Sequence, residues 1–527
     1  MTELLPTKAT FAPGEPLEVE IRGSNGPTRI SLWRLAAMVE TIELQPGERI
    51  ARFQPQGEGG YGVEAGAART ALDVLVDPLA RARYGFVSDY GAGRDVAGVV
   101  DNVRRLHLNA IQFYDWMYRH ARLLPPQDEF VDAMGRSISL PTVRKLVDEL
   151  GKVGSLPLGY AAVYAAGREE WPTWQADGLY RGSGEPWMLG DFLWNVDPTS
   201  ERWQTHFAAD LRAAEAEVGF AGFHLDQYGA PKYALRADGS SVDLAEAFPA
   251  LIDRLAGELP EARLIFNNVN DFPTWTTAGA TQAAVYIEVW SPHERLADLA
   301  SLVLKARALA PERSVILAAY LSVFANGSAE GALEAQRLLL ATVFSHGGTA
   351  LLHGEEQSVL TEAYYVRHAD LSRDSADSTR RYYDFGVRYG DLLFDRKSVD
   401  VTETHLGGVN EEVRLEASVP VATEPRPGAL WGRVLRLSDG MLVSLIDLSA
   451  QDDDRWDVPK RLARPLDGVR LSVERSSREQ GRFLYADPDE QPGMLALEPE
   501  HDGRYDTVTL PAFRTWAFVW LPDAGAR

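Results

Sequence analysis

With 527 residues, of which 45% are hydrophobic and 24% charged, the chain is longer than one hydrophobic core usually serves, so we expect two or three domains. A formal net charge of -23 argues against nucleic-acid binding, and the absence of cysteine excludes disulfides, thiolate metal sites and a cysteine nucleophile. The sequence has no apolar run of about 18 residues that could span a membrane and no signal-peptide pattern at its N-terminus, which as written predicts a cytoplasmic protein, or a secreted one whose leader has been removed.

Residues 1–78 predict a small immunoglobulin-like β-sandwich. Short stretches in which apolar and polar residues alternate, such as PLEVEIRG and TRISLWRL, are separated by Gly and Pro. This alternation is typical of antiparallel strands that bury one face.

Residues 79–400 predict a (β/α)8 barrel. Short apolar segments alternate here with longer segments of helical period, which is typical of βα units. The eight strand candidates are RYGFVSDYG, NAIQFYDW, LPLGYAAVYA, GFHLDQYG, RLIFNNVN, AAVYIEVW, SVILAAYL and TALLHGE. Eight is the number that closes such a barrel. The alternative, an open doubly wound sheet, more often carries a glycine-rich phosphate turn after its first strand, and DYGAGRDVAG resembles one only weakly.

Residues 401–527 predict a C-terminal antiparallel β domain, in a sandwich arrangement. The helical period disappears in this part of the chain, and alternation returns in segments such as EVRLEASV and TWAFVWLP.

Two carboxylates late in predicted strands, Asp226 and Glu288, are the candidate catalytic pair. Barrel active sites lie at the carboxyl ends of the strands. Because side chains alternate faces along a strand, Asp226 shares its face with His224, and Glu288 shares its face with Tyr286 and Trp290. Two such carboxylates can hydrolyse a glycosidic bond, with Asp226 as the nucleophile and Glu288 as the general acid/base whose pKa burial would raise. The alternative is that each carboxylate belongs to a salt bridge at the barrel rim.

Other polar and aromatic residues near strand ends are candidates for substrate binding. Asp115 and His120 could hold sugar hydroxyls, although Arg119 could instead pair with Asp115. Trp187 lies in a Trp-rich loop that could form either a sugar platform or a small core. The predicted binding residues are Asp89, Tyr90, Asp115, His120, Tyr160, Trp187, His224, Gln227, Asn268, Asn270, Trp290, His353 and Glu355. The histidines near Glu355 lack zinc-site spacing, so we predict no metal.

Four motifs follow one another on these strands: AIQFYDWMYRH, GFAGFHLDQYG, YIEVWS and LLHGEEQSVLTEAYY. In this order they resemble glycoside hydrolase family 66, which contains dextranases and cycloisomaltooligosaccharide glucanotransferases. The resemblance covers the whole chain and implies a β-sandwich, a barrel and a C-terminal β domain. It also implies retaining cleavage of α-1,6-linked glucan through a covalent intermediate on Asp226, with Glu288 as acid/base and no cofactor.

The resemblance bears on the reaction type as well. Family glucanotransferases that form cyclic products carry a carbohydrate-binding module inserted in the barrel, and no segment between Tyr84 and Ser398 is long enough to hold one. We therefore expect an endo-dextranase type of hydrolase acting on dextran or isomaltooligosaccharides, with a glucanotransferase as the alternative. Family dextranases are typically secreted, which leaves polymer and imported oligosaccharide both open as substrates.

Two hypotheses from other classes stay open at this point. Asp115, Asp226 and Glu288 could hold Mg²⁺ in a metal-assisted isomerase, with Lys232 or His224 as the base. The chain could also be a non-catalytic glucan-binding protein that has kept the groove. The sequence does not fix endo against exo action or the oligomeric state.

Overall fold

The N-terminal part of the chain forms two antiparallel sheets that share one apolar core. In the computed structural model, which describes residues 2–23, 26, 28–363, 366–475 and 482–523, β2 buries Leu17, Val19 and Ile21 against residues of the second sheet. The three-stranded sheet has the order β1-β2-β5 and the four-stranded sheet the order β4-β3-β6-β7. The strands are β1 (Glu3–Pro6), β2 (Leu17–Arg22), β3 (Thr28–Arg34), β4 (Ala37–Leu44), β5 (Ile50–Phe53), β6 (Gly59–Ala65) and β7 (Ala68–Val74). Two sheets are thus present, and their likeness to an immunoglobulin domain stays a prediction.

The middle part contains a barrel-like parallel sheet whose last strand closes it onto the first. Each of the eight predicted segments contains a strand, and the eighth is split in two. Its first piece pairs with the seventh strand at Thr349, and its second piece pairs with the first strand at Gly354. The strands here are β8 (Tyr84–Val87), β9 (Ala110–Phe113), β10 (Glu129–Val131), β11 (Ser137–Ser139), β12 (Leu156–Ala162), β13 (Ala165–Gly167), β14 (Met188–Leu189), β15 (Leu193–Asn195), β16 (Gly222–Asp226), β17 (Tyr233–Leu235), β18 (Ser241–Asp243), β19 (Arg263–Val269), β20 (Ala284–Glu288), β21 (Ser314–Ala318), β22 (Thr349–Ala350), β23 (His353–Gly354), β24 (Ser358–Glu362) and β25 (Arg367–Asp370).

Helices follow most of these strands, and the sequence marks their ends. The long helix after β15 begins where the Ser200 hydroxyl accepts from the Trp203 backbone N–H, and it ends at Gly219, which takes the left-handed conformation with φ 88°. The helices are α1 (Val96–Arg105), α2 (Leu140–Lys152), α3 (Trp171–Trp174), α4 (Glu201–Val218), α5 (Leu244–Glu258), α6 (Thr274–Thr277), α7 (Leu296–Leu309), α8 (Val323–Asn326), α9 (Ala329–Ser345), α10 (Arg373–Arg388), α11 (Gly390–Leu393) and α12 (Thr402–His405).

The two faces of the parallel sheet bury different sets of residues. Ile265, Ala284 and Tyr286 belong to the core inside the barrel. Phe223 and Ile287 belong to the core between the strands and the helices. This alternation decides which polar side chains at the strand ends enter the barrel mouth.

The C-terminal part forms a seven-stranded and a four-stranded sheet. Its first strand already begins at Val399, and the boundaries predicted after residues 78 and 400 stay predictions. The strands are β26 (Val399–Asp400), β27 (Val413–Glu416), β28 (Val421–Ala422), β29 (Leu430–Leu437), β30 (Gly440–Asp447), β31 (Arg470–Glu474), β32 (Phe483–Ala486), β33 (Leu495–Leu497), β34 (Glu500–Asp502), β35 (Tyr505–Thr509) and β36 (Trp516–Pro522). Among the described residues of the whole chain, no helix is long and apolar enough to cross a bilayer.

Candidate active site

A cavity of about 350 Å³ lies at the carboxyl ends of the barrel strands, where barrel enzymes place their chemistry. We call it the central pocket. It is lined by Gln112, Tyr114, Asp115, His120, Met134, Tyr160, Leu189, Gly190, Phe192, Leu193, His224, Asp226, Gln227, Tyr228, Asn267, Val269, Tyr286, Glu288, Trp290, Tyr320 and Ala363.

A larger cavity, of about 650 Å³, lies between the N-terminal sheets, α1 and α10. Among the charged side chains that line it, Arg380 pairs with Glu3 at 2.8 Å, and Arg388 pairs with the neighbouring Glu64 at 2.6 Å. The central pocket is the smaller of the two, but it holds two carboxylates, Asp226 and Glu288, whose hydrogen-bond donors are uncharged, and it is therefore the candidate site.

Asp226 is the last residue of β16, and its carboxylate enters the central pocket. Its Oδ2 accepts a hydrogen bond from the Tyr160 hydroxyl at 2.7 Å, and its Oδ1 accepts one from Asn267 Nδ2 at 2.7 Å. Both donors come from the neighbouring strands β12 and β19, so the parallel sheet itself fixes the carboxylate.

Glu288 is the last residue of β20 and is held in the same way. Its Oε1 accepts from the Tyr320 hydroxyl at 3.0 Å, and its Oε2 accepts from Asn267 Nδ2 at 3.0 Å. One amide nitrogen of Asn267 therefore donates to both carboxylates. The two accepting oxygens cannot be farther apart than these two hydrogen bonds laid end to end. This upper limit is compatible with the roughly 5 to 5.5 Å between the carboxyl groups of a retaining pair.

The carboxylate pair is buried, and this burial raises the pKa values of both carboxyls. Burial raises the pKa of Asp226, and the neighbouring charge of Glu288 raises it further. Burial likewise raises the pKa of Glu288, while the donors Asn267 and Tyr320 oppose that shift. Because the charge of Glu288 acts on Asp226, the two carboxyls titrate as an interacting pair rather than independently.

Asn267 was missed in the sequence, which instead predicted Asn268 as a pocket residue; that placement is wrong. The residues before them, Leu264 to Phe266, are all apolar, so they do not reveal which face points inward. The sheet register resolves this, because Asn267 lies beside the inward Tyr286 and Asn268 beside the outward Ile287. Asn268 donates to the Tyr286 carbonyl at 2.8 Å and accepts from the Thr277 hydroxyl, so it ties β19 to the start of the helical layer.

Asp115 and His120 lie in the central pocket, and burial shifts both of their pKa values. Burial raises the pKa of Asp115 to about 6 and lowers that of His120 to about 4, so His120 is neutral. The nearest cation to Asp115 is Arg136, whose guanidinium nitrogen is 3.8 Å from Oδ2. Arg119, the partner suggested by the sequence, instead lies over the Tyr118 ring at 4.0 Å.

His224 and Gln227 also line the central pocket. The Nδ1 of His224 is 3.2 Å from the Tyr84 hydroxyl, and burial lowers the histidine's pKa to about 3. Gln227 donates to the backbone carbonyls of Asn267 and Phe272 and accepts from the Gly229 N–H, so its amide supports the loop after β16. The predicted residues Tyr160 and Trp290 also line this pocket.

Seven predicted binding residues lie outside the central pocket lining: Asp89, Tyr90, Trp187, Asn268, Asn270, His353 and Glu355. The Tyr90 hydroxyl donates to two backbone carbonyls, and the Asn270 amide donates to the Ser291 carbonyl. His353 is buried, and its Nδ1 lies 3.3 Å from the Ser358 carbonyl. These side chains hold strand ends and loops together.

The others outside the pocket lining have structural partners too. Glu355 is buried and pairs with Arg94, which also lies 3.4 Å from Asp89. The Trp187 ring is covered by the Arg181 guanidinium at 3.8 Å. Elsewhere in the same loop Trp171 stacks on Trp194. These aromatic contacts match the alternative in which the Trp-rich loop forms a small core rather than a sugar platform.

Three residues that line the central pocket carry buried polar atoms, Gln112 Oε1, His120 Nδ1 and Asn267 Oδ1, that make no hydrogen bond among the described residues. Buried polar atoms in proteins are nearly always paired, so each of these atoms needs a partner from water or from a bound molecule. Gln112 and Tyr320 were missed in the sequence, although both are polar and lie on or directly after a strand, the same signal that identified Asp226.

Among the described residues, no group of three or more His, Cys, Asp or Glu side chains is arranged to hold a metal ion. Asp115, Asp226 and Glu288, the set considered for Mg²⁺, do not form such a group.

Comparisons with known proteins show the family of the chain. The model of Glycosyl hydrolase family 66 matches residues 7–520. A cycloisomaltooligosaccharide glucanotransferase from Niallia circulans is 26% identical over 397 residues, which are 65% of this chain and 40% of that protein. A dextranase from Streptococcus salivarius is 24% identical over 390 residues, 63% of this chain and 46% of that protein. The chain thus spans less than half the length of the curated relatives it matches.

Solved structures share the fold. A cycloisomaltooligosaccharide glucanotransferase from Paenibacillus sp., complexed with cycloisomaltoheptaose, matches with a TM-score of 0.88 at 19% identity. The match covers 99% of this chain and 100% of the glucanotransferase chain. An alpha-amylase from Geobacillus thermoleovorans, complexed with acarbose, has a TM-score of 0.56 at 10% identity, covering 84% of this chain and 99% of the amylase chain. At these identities the matches show the architecture alone.

Proposed function

The chain belongs to glycosyl hydrolase family 66, and from that premise we propose that it cleaves α-1,6-glucosidic linkages of dextran or isomaltooligosaccharides with retention of configuration. The observation that carries this proposal is the single Asn267 amide that donates to both Asp226 and Glu288. It supports a carboxylate separation of the retaining kind.

In the proposed mechanism Asp226 is the nucleophile. Its carboxylate attacks the anomeric carbon while the bond from that carbon to the glycosidic oxygen breaks. The Glu288 carboxyl gives its proton to that oxygen, so the leaving chain departs as a neutral alcohol. Glu288, now ionised, then takes a proton from water, whose oxygen displaces Asp226 from the anomeric carbon. Two inversions leave the product in the α configuration.

The environment of the pair suits both roles. Burial and the charge of Glu288 raise the pKa of Asp226 to about 7, and donation from Tyr160 and Asn267 opposes this rise and so favours the ionised, attacking form. Burial raises the pKa of Glu288, which favours the protonated form that the acid step needs. We also propose that Asp115, His120 and Gln112 bind hydroxyls of the glucosyl unit, because these polar groups line the same pocket.

Transfer to a sugar acceptor is the second candidate. It is supported by the likeness to the Niallia circulans cycloisomaltooligosaccharide glucanotransferase, which is 26% identical over 397 residues. The two outcomes differ only in whether water or a sugar hydroxyl attacks the glucosyl-enzyme. The length of the barrel segment between Tyr84 and Ser398 favours hydrolysis.

The proposal is tested by incubating the protein with dextran and, separately, with a linear isomaltooligosaccharide series. Products are sized, and their anomers are determined at short times by NMR. We expect linear α-anomers shorter than the substrate. Early β-anomers would contradict retention, products longer than the substrate or cyclic products would favour transfer, and cleavage of α-1,4-glucans alone would contradict the linkage.

A further inference from the structure

A second cavity, of about 430 Å³, lies beside the central pocket. We call it the side pocket. The two share Trp290 and Tyr320 as walls, and the rings of these residues are 5.9 Å apart at a tilt of 48°. The side pocket therefore adjoins the central pocket, with these two rings between them.

The side pocket lies on the Glu288 side of the two carboxylates. The shared wall is on the Glu288 side, because Tyr320 donates to Glu288 Oε1 and Trp290 follows Glu288 by two residues. Asp226 and its donor Tyr160 line the central pocket but not the side pocket. A group bound in the side pocket therefore lies beyond the proposed acid and away from the proposed nucleophile.

The C-terminal part of the chain supplies one wall of the side pocket through Arg455, Trp456 and Asp457. This segment is fixed to the barrel loops. Asp457 accepts from the Ser322 hydroxyl at 2.6 Å and from the Val323 N–H at 3.1 Å, and the Trp456 indole donates to the His293 carbonyl at 2.8 Å. These hydrogen bonds are made within the protein and hold the wall in place.

The chemistry of the lining suits a neutral, hydroxyl-rich ligand. Two ion pairs lie at its edge, and the opposite charges within each pair cancel. They join Glu294 to Arg455 at 3.3 Å and Glu362 to Arg367 at 3.2 Å. All four of these side chains are partly or largely exposed and offer donors and acceptors to sugar hydroxyls. The aromatic walls supply apolar faces against which a pyranose ring can pack.

We propose that the side pocket binds the glucosyl units on the leaving-group side of the cleaved bond, so that the C-terminal domain is part of the substrate site. This rests on the proposed function, because the acid protonates the oxygen that joins the reacting unit to the next one. Chain length beyond the cleavage point is then sensed by Arg455 and its neighbours.

The test fills the side pocket and compares two substrates. Ala325 is exposed and lines this pocket, so Ala325→Trp places an indole in it. One substrate is isomaltohexaose, which has sugar on both sides of the cleaved bond. The other is α-isomaltosyl fluoride, whose leaving group is fluoride. We expect kcat/KM on isomaltohexaose to fall about tenfold or more, with less than about a twofold change on the fluoride. The matched control is Ala237→Trp, at an exposed alanine in the turn between β17 and β18.

A milder second variant, Arg455→Ala, avoids any effect of added bulk. It is compared with Arg461→Ala, which removes a nearby exposed arginine that pairs with Asp452. We expect Arg455→Ala alone to raise KM for isomaltohexaose while the fluoride reaction is unchanged. No change in either side-pocket variant, or equal loss on both substrates, overturns the inference. A wild-type protein that cleaves neither substrate overturns the proposed function itself.

Discussion

Two buried carboxylate clusters stand at the barrel mouth, and they are built in opposite ways. Glu355 accepts from the Ser88 N–H at 2.6 Å and from the Asp89 N–H at 3.1 Å, and it pairs with the Arg94 guanidinium. Asp226 and Glu288, by contrast, are held by uncharged donors, namely hydroxyls, the Asn267 amide and the Trp290 indole, and within the described residues no cation pairs with either. The first cluster is a satisfied ion pair that closes the sheet near β23, whereas in the second burial raises the pKa values of both carboxyls, as is typical of functional sites.

The comparison shows why position late in a strand does not by itself identify a catalytic carboxylate. Both clusters satisfy that rule, and the sequence predicted functional roles in each. What separates them is the charge of the donors, which come from other strands and from loops.

The largest expected effect is on activity. Asp226→Asn and Glu288→Gln should each lower kcat on isomaltooligosaccharides by about 10⁴-fold, because each removes a group that forms or breaks a covalent bond or moves a proton. Glu355→Gln should keep most of the activity, since its side chain lies outside the central pocket. Steady-state kinetics on purified variants checks this, and a comparable loss in Glu355→Gln would erase the distinction between the clusters.

The same variants should shift stability in opposite directions. Glu355→Gln should lower the free energy of unfolding by about 2 kcal/mol, because hydrogen bonds to a charged group are lost. In Asp226→Asn the free energy of unfolding should rise at pH 8. The folded-state pKa of Asp226 is raised, so the ionised carboxylate destabilises the folded state above that pKa, and this penalty fades as pH falls through it. Denaturant unfolding at pH 8 and pH 5 would show the gain shrinking at the lower pH.

Adjacent asparagines provide a sharper test within one strand. Asn267→Ala should lower kcat roughly 10- to 100-fold with little change in KM, because both carboxylates lose their common donor and drift from the productive geometry. Asn268→Ala, one residue further along, should instead lower the free energy of unfolding by about 1 to 3 kcal/mol with kcat nearly unchanged. Equal kinetic effects of the two changes would contradict the assigned faces of β19.

The smallest effect is a displacement of the pH profile. With isomaltosyl fluoride as the substrate, formation of the glycosyl-enzyme needs an ionised Asp226 but no proton from a general acid. Glu288→Gln removes the charge that raises the pKa of Asp226, so the acidic limb of kcat/KM should move to lower pH. Tyr160→Phe removes a donor that lowers this pKa, so the limb should move the other way. Shifts of the same sign in both variants would refute the electrostatic account of the pair.

Local pattern explains which parts of the fold could be predicted. Alternation and short apolar runs are properties of neighbouring residues, and they located all eight barrel strands and the change to antiparallel β structure near residue 400. Asp226 and Glu288 stood out because each interrupts an apolar strand at its carboxyl end. Asn267 was not predicted because its strand is apolar on both faces, so the sequence pattern does not show which residues point into the barrel.

By itself, then, the sequence determined the order of strands and helices and the two carboxylates at strand ends, since these follow from residue type and period along the chain. The tertiary structure alone decided that one asparagine bridges both carboxylates, that Glu355 is neutralised by Arg94 while Asp226 is not, and that residues 455–457 wall a pocket beside Glu288. These contacts join residues far apart in sequence. Their geometry depends on sheet register and domain packing, which no local pattern encodes.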